Sequence, residues 1–542
     1  AHSLFVSCPR SPAHSSFTNA PLIDLVSSMW GHPRPASLPH SGLFRPAALI
    51  PARVQSLFLD PRESEAVGLI LDQLARRPGN IALTITAAML IAHHTVRYDT
   101  ALTLLREALS HVPDNVQAQQ TYAYTLICAG QLAEGSERFG ALLSRYPAQR
   151  VSLMEHLSAA LLQAGLLEEA RQVLAGAIAD RCTSAALLSN MGCALTYLNR
   201  STESLPYYEA ALRMAPGNKR MQASYGCALL KAGQLGRGWA LHAQKPDGLH
   251  AEAWFKKLPS LTPQTDVQGR SVLLYHDHGL GDTLQFVRFV TALVEKGARV
   301  TLAVPATLQR LIARSFPTVT VVDIASMALR AQFGGGFDYA DLIMNLPYVL
   351  RADRCEASVL SPVMPYLVAD AAAVAAWDAR LPAGRPRIGL VWAGECRQSA
   401  RGTAMDDRRS TTLRAMAPII EARPDATFIS LQYGKKREEI AQCGYALIDP
   451  MDQVRSMDDT AALVKNLDLL ITVDSSPAHL AAGLACPVWV MSRQDACWRW
   501  LDSGETTAWY PSMRLFRAKE RSFVPMIDEV AAALRQATQF HP

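Results

Sequence analysis

The fold of the second half of the chain is decided by the stretch Asp468-Leu-Leu-Ile-Thr-Val-Asp474-Ser-Ser-Pro-Ala-His479-Leu-Ala-Ala-Gly483-Leu-Ala-Cys-Pro487-Val-Trp-Val. Its pattern predicts a buried strand, a sharp polar turn, a helix of small residues and a second buried strand. The turn places Asp474, Ser475, Ser476 and His479 at the carboxyl end of a strand, where open α/β sheets bind ligands. Unpaired amides at the start of the helix and the helix dipole favour an anion. The turn therefore predicts a diphosphate-bearing substrate.

Strands and helices alternate on both sides of this stretch. The alternation begins at Ser271, after a connector at 245–270, and restarts at Arg387, after a Pro/Ala-rich hinge near 370–386. Continuous β-branched strands between helices indicate parallel sheets. The pattern predicts two Rossmann-like lobes, 271–380 and 386–542, with a cleft between them and a final helix. It also predicts one helix over 283–296 and a strand over 445–448.

Residues 62–244 are helical, rich in alanine and leucine, and repetitive. Pro-x-Asn turns begin at Pro78, Pro113 and Pro216, and Pro147 keeps the same phase. A period of about 34 residues with two helices per unit is typical of tetratricopeptide repeats, and the region closely resembles that family. Four or five units would stack into a superhelix with a concave groove. We interpret the groove as a protein-binding surface; a purely stabilising helical annex is the alternative.

The composition is that of a globular protein of about two to four domains. Of 542 residues, 49% are hydrophobic and 19% charged, and the formal net charge is +5. No lysine/arginine tract indicates nucleic acid or lipid head groups, and no run approaches the roughly 20 apolar residues of a membrane span. The ten cysteines lack metal-site spacing, which favours a reduced, cytoplasmic protein. Residues 1–60 show no signal-peptide pattern and are expected to be mostly disordered.

The first lobe opens with a glycine turn, Tyr275-His276-Asp277-His278-Gly279-Leu280-Gly281-Asp282-Thr283. Gly279 and Gly281 permit a tight connection from strand to helix, which puts Asp282 at the helix N-terminus. Position alone leaves two interpretations open. Asp282 is either a helix cap, worth about 0.5–2 kcal/mol, or a general base facing the cleft, worth about 10²–10⁴ in rate.

The turn at 279–283 and the Val-Asp-Ser-Ser-Pro-Ala-His segment at 473–479 resemble glycosyltransferase family 9, a group of heptosyltransferase-like GT-B enzymes. The resemblance covers roughly 270–540, and the repeats match the subgroup that is fused to tetratricopeptide repeats. Further segments fit in order and spacing: 389–394, 407–410, 428–434, 458–461 and 498–500. The resemblance implies a metal-independent, inverting transfer in which Asp282 takes the proton of an acceptor hydroxyl. That hydroxyl attacks the anomeric carbon of a nucleotide sugar.

On the donor side, the resemblance implies that the leaving diphosphate is stabilised at the start of the helix after Asp474. The residues predicted to bind the donor are Asp474, Ser475, Ser476, His479, Arg408, Arg409, Gln432 and Lys435. For the two arginines and Lys435 a solvated loop is the alternative, and for His479 a helix cap. Asp474 could instead fix its turn. Gln432 could contact the base or ribose.

No cofactor is expected, and the nucleotide sugar is a substrate. His276 and His278 lack a convincing third metal ligand. The adjacent pair Asp406-Asp407 is followed by two arginines, so manganese dependence is not expected. Trp498 and Trp500 are predicted to pack the lobe rather than to stack on a sugar.

Three functional hypotheses follow from these patterns. The leading one is a bacterial glycosyltransferase whose repeats recruit a protein acceptor. The second keeps the enzyme but gives it a glycan or lipid acceptor, with the repeats serving assembly. The third is a non-catalytic repeat scaffold that retains a decayed transferase fold.

Overall fold

The computed structural model describes residues 63–243, 254–277, 279–326, 336–351, 364–394 and 406–540. The predicted leader, His278, the loop at 395–405 and part of the predicted connector lie outside these residues. Among the described residues, no helix combines the length and the apolarity that a membrane crossing requires.

The repetitive region is a stack of antiparallel helix pairs. A leading helix, α1 (Glu63–Ala75), is followed in the described residues by five pairs. These are α2 (Ile81–His94) with α3 (Tyr98–His111), α4 (Val116–Cys128) with α5 (Leu132–Arg145), α6 (Arg150–Ala164) with α7 (Leu167–Ala179), α8 (Ala185–Tyr197) with α9 (Ser201–Met214), and α10 (Lys219–Lys231) with α11 (Leu235–His242).

The recurring Pro-x-Asn turns are helix caps. The side chains of Asn80, Asn115 and Asn218 each accept a hydrogen bond from the backbone N–H three residues later, at 3.0, 2.9 and 3.1 Å. Each bond satisfies an amide that the first helical turn leaves without a partner. The repeat motif read from the sequence is therefore the signal that starts the first helix of three pairs.

The first lobe is a parallel sheet of four strands in the order β3-β2-β1-β4. The strands are β1 (Ser271–Tyr275), β2 (Arg299–Val304), β3 (Thr320–Asp323) and β4 (Tyr339–Leu342). Its helices are α12 (Leu280–Phe286), α13 (Val290–Glu295), α14 (Ala306–Ser315) and α15 (Leu346–Val349). The single helix predicted over 283–296 is wrong: α12 and α13 are separated by a 3₁₀ turn at Val287–Phe289.

The second lobe is a parallel sheet of five strands in the order β6-β5-β7-β8-β9. Helix α16 (Ala371–Asp378) lies in the predicted hinge and precedes this sheet in the chain. The strands are β5 (Arg387–Val391), β6 (Thr427–Ser430), β7 (Leu469–Val473), β8 (Val488–Ser492) and β9 (Met513–Arg517). The helices are α17 (Ala417–Glu421), α18 (Ile440–Cys443), α19 (Met457–Val464), α20 (Ser476–Gly483) and the final α21 (Val524–Gln536).

The predicted strand over 445–448 is wrong, because only Ile448 forms a bridge, to Ile429. The sequence analysis also missed β9, whose five residues Met513–Arg517 include two arginines. Apart from these differences the predicted fold class is confirmed. A helical repeat superhelix precedes two parallel α/β lobes, the GT-B arrangement.

The last repeat is packed against both lobes. Trp239 of α11 is buried, and its ring lies 5.8 Å from that of Phe286 in the first lobe and 5.3 Å from that of Trp498 in the second. Asp502 of the second lobe caps α9 by accepting bonds from the backbone N–H and hydroxyl of Ser201, at 2.8 and 2.7 Å. The last repeat therefore shares one apolar core with the lobes.

Candidate active site

The two motif turns lie at the switch points of their sheets. The turn 279–282 follows β1, which lies between β2 and β4, and Asp474 follows β7, which pairs with β5. Strand order reverses at these positions, and side chains there line a crevice beyond the carboxyl ends of the strands. The structure therefore puts both turns where the sequence predicted a ligand.

The two turns touch each other across the lobes. A Cβ added at Gly281 would lie 2.8 Å from Cδ2 of His479 and 3.4 Å from Cα of Ser476. Any side chain at this position would separate helix α12 from helix α20. Glycine at position 281 therefore allows the turn of the first lobe to lie directly against the turn at 474–479 of the second lobe, here called the donor-side turn.

Asp282 is held by both lobes. Its Oδ2 accepts a bond from the backbone N–H of Gly279 at 2.9 Å, which caps α12. Its Oδ1 is ion-paired with Arg499 of the second lobe. The side chain is 20% exposed. The two interpretations of Asp282 are thus compatible, since a carboxylate oxygen has lone pairs for more than one partner.

Arg499 connects Asp282 to the rest of the site. It is buried, donates from Nε to Gln285 Oε1 at 2.6 Å, and lies over the ring of Trp498 at 4.4 Å. Burial opposes its charge, but Asp282 and its other neighbours outweigh this and raise the pKa of Arg499 above its ordinary value. The 3₁₀ turn Trp498–Trp500 that carries Arg499 packs against α10 of the last repeat.

His479 is a buried, neutral imidazole between the two turns. Its Nδ1 lies 2.9 Å from Tyr510 Oη, and its ring stacks on Trp500 with 5.6 Å between centroids. Burial first, and then the charge of Arg499, lower the pKa of His479 to about 4, although the carboxylates of Asp474 and Asp282 oppose this. A contribution of His479 to ligand binding would therefore come from a neutral ring.

The donor-side turn is tied to β5 by Arg409. This side chain donates to the backbone oxygen of Asp474 at 3.4 Å and pairs with Asp406 at 2.7 Å. Its Nε lies 2.5 Å from the position of a Cβ at Gly394, so only glycine leaves room for it. Helix α20 begins at Ser476 without a side-chain cap from Ser475, whose hydroxyl is 3.0 Å from that of Thr472.

For three other predicted donor-binding residues, all within the described part of the chain, the structure shows no bond to the donor-side turn. The buried amide of Gln432 accepts from the N–H groups of Trp392 and Ala393 and donates to the oxygens of Ala393 and Tyr433, so it holds the loops after β5 and β6. Arg408 pairs with Asp495 at 3.0 Å and packs on Gly165 of the repeats. Lys435 is exposed beyond β6.

The structure adds three residues that the sequence analysis missed: Arg499, Tyr510 and Arg493. Arg493 follows β8, is buried, and pairs with Asp495 at 3.1 Å. Burial opposes the charge of Arg493, but Asp495 and Asp474 outweigh it and raise its pKa. The signal for Arg493 was available, because it follows a buried strand as Asp474 does. Arg499 was hidden by its two tryptophan neighbours, which indicated packing.

Of His276 and His278, at which no metal site is expected, only His276 lies within the described residues. His276 is buried, and its Nδ1 lies 2.7 Å from Thr283 Oγ1. Within the described ranges, no three His, Cys, Asp or Glu residues are grouped in a way that could hold a metal ion. Trp498 and Trp500 pack against Trp239 and His479, respectively.

Sequence-family comparison settles the nature of the helical region. Family models described as Tetratricopeptide repeat match residues 96–157 and 190–238. The helical pairs are tetratricopeptide repeats. A curated relative, Protein FlbA of Caulobacter vibrioides, is 25% identical over 436 residues, which span 70% of this chain and 72% of that protein.

Among solved structures, similar ones include three glycosyltransferases. The glycosyl transferase family 9 protein from Veillonella parvula is 11% identical over 47% of this chain and 88% of its own, with a TM-score of 0.35. E. coli ADP-heptose lps heptosyltransferase II is 12% identical over 49% of this chain and 98% of its own, with a TM-score of 0.35. A Thermobaculum terrenum O-GlcNAc transferase is 12% identical over 84% of this chain and 92% of its own, with a TM-score of 0.25.

Proposed function

We propose that the chain is a glycosyltransferase that moves a sugar from a nucleotide-sugar donor to a hydroxyl group, with inversion at the anomeric carbon and without a metal. The acceptor is a protein that the tetratricopeptide repeats recruit. One observation carries the proposal. The Asp282 carboxylate of the first lobe is ion-paired with Arg499 of the second, and its neighbour Gly281 lies directly against the donor-side turn.

The first step of the proposed reaction is proton transfer to Asp282. Arg499 and the Gly279 N–H orient the carboxylate, which accepts the proton of an acceptor hydroxyl. An aspartate side chain is ordinarily ionised at neutral pH, which is the form that a general base requires. The hydroxyl oxygen attacks the anomeric carbon, and the bond to the nucleoside diphosphate breaks.

The second requirement is stabilisation of the leaving diphosphate. The uncapped start of α20 offers backbone N–H groups and the positive end of the helix dipole. Arg409, between β5 and β6, donates to the backbone oxygen of Asp474, and the charge of Arg493, directly after β8, also acts on Asp474, so two permanent cations lie near this turn. Groups fixed in this way stabilise charge without having to reorganise during the reaction.

A donor screen tests the proposal. The full chain is incubated with nucleotide sugars that differ in base and sugar, and binding is followed by calorimetry while nucleotide release is followed by chromatography. We expect one donor class to bind and to be hydrolysed slowly with water as acceptor. A chain that binds no nucleotide sugar would instead support the scaffold hypothesis.

A second arm of the screen separates the acceptor classes. Donor consumption is compared in the presence of candidate proteins and of glycans or lipids. Faster turnover with a protein only, lost when the repeats are saturated by a competing protein, supports the recruited acceptor. Faster turnover with a glycan or lipid only would contradict that part of the proposal and leave the transferase itself intact.

A further inference from the structure

The inner face of the repeat stack is strongly curved. The first helices of successive pairs, from α2 to α10, contact each other in turn and form this face. The ring of His93 on α2 lies 4.2 Å from that of Tyr124 on α4 and 6.4 Å from that of His156 on α6. Packed helices lie about 8–10 Å apart, so rings from α2 and α6 meet only on a sharply concave surface.

The charges on this face are of one sign. Burial is the largest cause that lowers the pKa of His93 to about 4, and His156, His94 and Arg220, which carry no negative charge in any protonation state, lower it further. Burial and then Arg220 lower the pKa of His94. Glu155 is adjacent in sequence to His156. Its carboxylate accepts a 2.5 Å hydrogen bond from the hydroxyl of Ser184, at the start of α8, and is therefore directed to the next repeat.

Arg220 is placed where helix stability does not require it. It is exposed in the first turn of α10, and no acidic residue accompanies it there. The helix dipole disfavours a cation at this end. Its positive charge instead acts across the inner face on α2, four repeats away, where it helps to lower the pKa values of His93 and His94.

We propose that this surface, defined by His93, His94, Tyr124, His156 and Arg220 and here called the imidazole groove, binds an acidic segment of polypeptide. The statement that this segment belongs to the acceptor rests on the proposed function; the binding itself does not. Carboxylates of the segment form a charge-assisted pair with the guanidinium of Arg220 and accept hydrogen bonds from imidazole N–H groups. One arginine with half-buried rings does not provide the series of cations that a nucleic-acid backbone requires.

Fluorescence anisotropy with the full chain tests the proposal. The probes are labelled 12-residue peptides of alternating alanine with glutamate, glutamine or lysine. We expect the glutamate peptide to bind, with affinity that falls as salt is raised, and the other two to bind weakly or not at all. Arg220→Gln and His156→Gln should each weaken binding about two- to fivefold, the effect of one exposed ion pair.

The matched control is Arg213→Gln, which removes an exposed arginine from α9, a second helix of its pair. It should leave the affinity unchanged. The measurement needs no nucleotide sugar, so failure of the transferase proposal would not affect it, and donor hydrolysis should be unchanged in all three variants. Any of three results would overturn the proposal. These are equal affinity for the lysine and glutamate peptides, an unchanged affinity for the glutamate peptide in the Arg220→Gln/His156→Gln double variant, or tighter binding of a single-stranded oligonucleotide of equal charge.

Discussion

The two histidines with strongly lowered pKa values occupy opposite electrostatic surroundings. His479 and His93 both have a pKa of about 4, and each ring lies against an aromatic side chain. Around His479, the cations Arg499 and Arg288 are matched by the carboxylates of Asp282 and Asp474. Around His93, the acting charges are cationic. The candidate active site therefore contains its own counter-charges, whereas the imidazole groove depends on a partner to supply them.

The largest effect should come from Asp282→Asn. The amide keeps the size of the side chain but cannot accept a proton, so transfer should fall by about 10²–10⁴. Donor affinity measured by calorimetry should change little, because Asp282 belongs to the acceptor side. The matched control is Asp338→Asn, since Asp338 also accepts a backbone N–H, from Ser271 at 2.8 Å, and pairs with an arginine. Unchanged turnover in Asp282→Asn would remove this residue from the mechanism.

The two histidines should make the protein less stable in mild acid. Unfolded histidine takes up a proton below about pH 6.5, whereas folded His479 and His93 stay neutral down to about pH 4. The unfolded state therefore binds more protons between these values. The free energy of unfolding should fall as the pH is lowered through this window, by up to about 3 kcal/mol per histidine.

Denaturant titrations from pH 7 to 4 measure this slope. His479→Gln and His93→Gln should each reduce it, and His111→Gln, at an exposed position, should not. Donor hydrolysis at neutral pH distinguishes the two histidines, because His479→Gln should slow it and His93→Gln should leave it unchanged. A wild-type slope in both variants would show that burial of these rings does not control acid stability.

Arg499→Gln should lower turnover about 10- to 100-fold, which corresponds to the roughly 1.5–3 kcal/mol of a hydrogen bond to a charged group. Without the guanidinium, Asp282 loses its orientation and becomes easier to protonate, so the acid limb of the pH–rate profile should move to higher pH. Arg514→Gln is the control, because Arg514 also pairs with a carboxylate and lies over an aromatic ring, away from the site. An unshifted acid limb would assign Arg499 a purely structural role.

How much of this was readable from the sequence depended on whether a signal was local. Asn80, Asn115 and Asn218 cap helices within three residues of their own position, so the repeats and their phase could be predicted. Strands β1, β5 and β7 are short, mostly buried runs, and the predicted alternation begins at Ser271 and restarts at Arg387, the first residues of β1 and β5. The strand predicted over 445–448 failed because its residues have the right composition but meet the sheet only through Ile448.

The site was predictable only in part, for the same reason. Asp282 and Asp474 follow strands, and strand ends meet at one edge of a sheet. The partner of Asp282 lies 217 residues away in sequence, between two tryptophans, and nothing local reveals that contact. Gln432 shows the opposite case: a polar residue after a strand indicates a ligand contact, whereas its amide forms four hydrogen bonds with neighbouring backbone groups.

The smallest expected effect distinguishes the last repeat from the others. Asn218→Ala and Asn115→Ala each remove one helix cap and should each lower the stability by about 1 kcal/mol. Helix α10, capped by Asn218, carries Arg220 in its first turn and packs against the turn that holds Arg499. Asn218→Ala should therefore also weaken binding of the glutamate peptide and reduce donor hydrolysis slightly, whereas Asn115→Ala should leave donor hydrolysis unchanged. Asn218→Asp, which retains a cap, should restore both. Identical behaviour of the two alanine variants would mean that the last repeat does not couple the imidazole groove to the candidate active site.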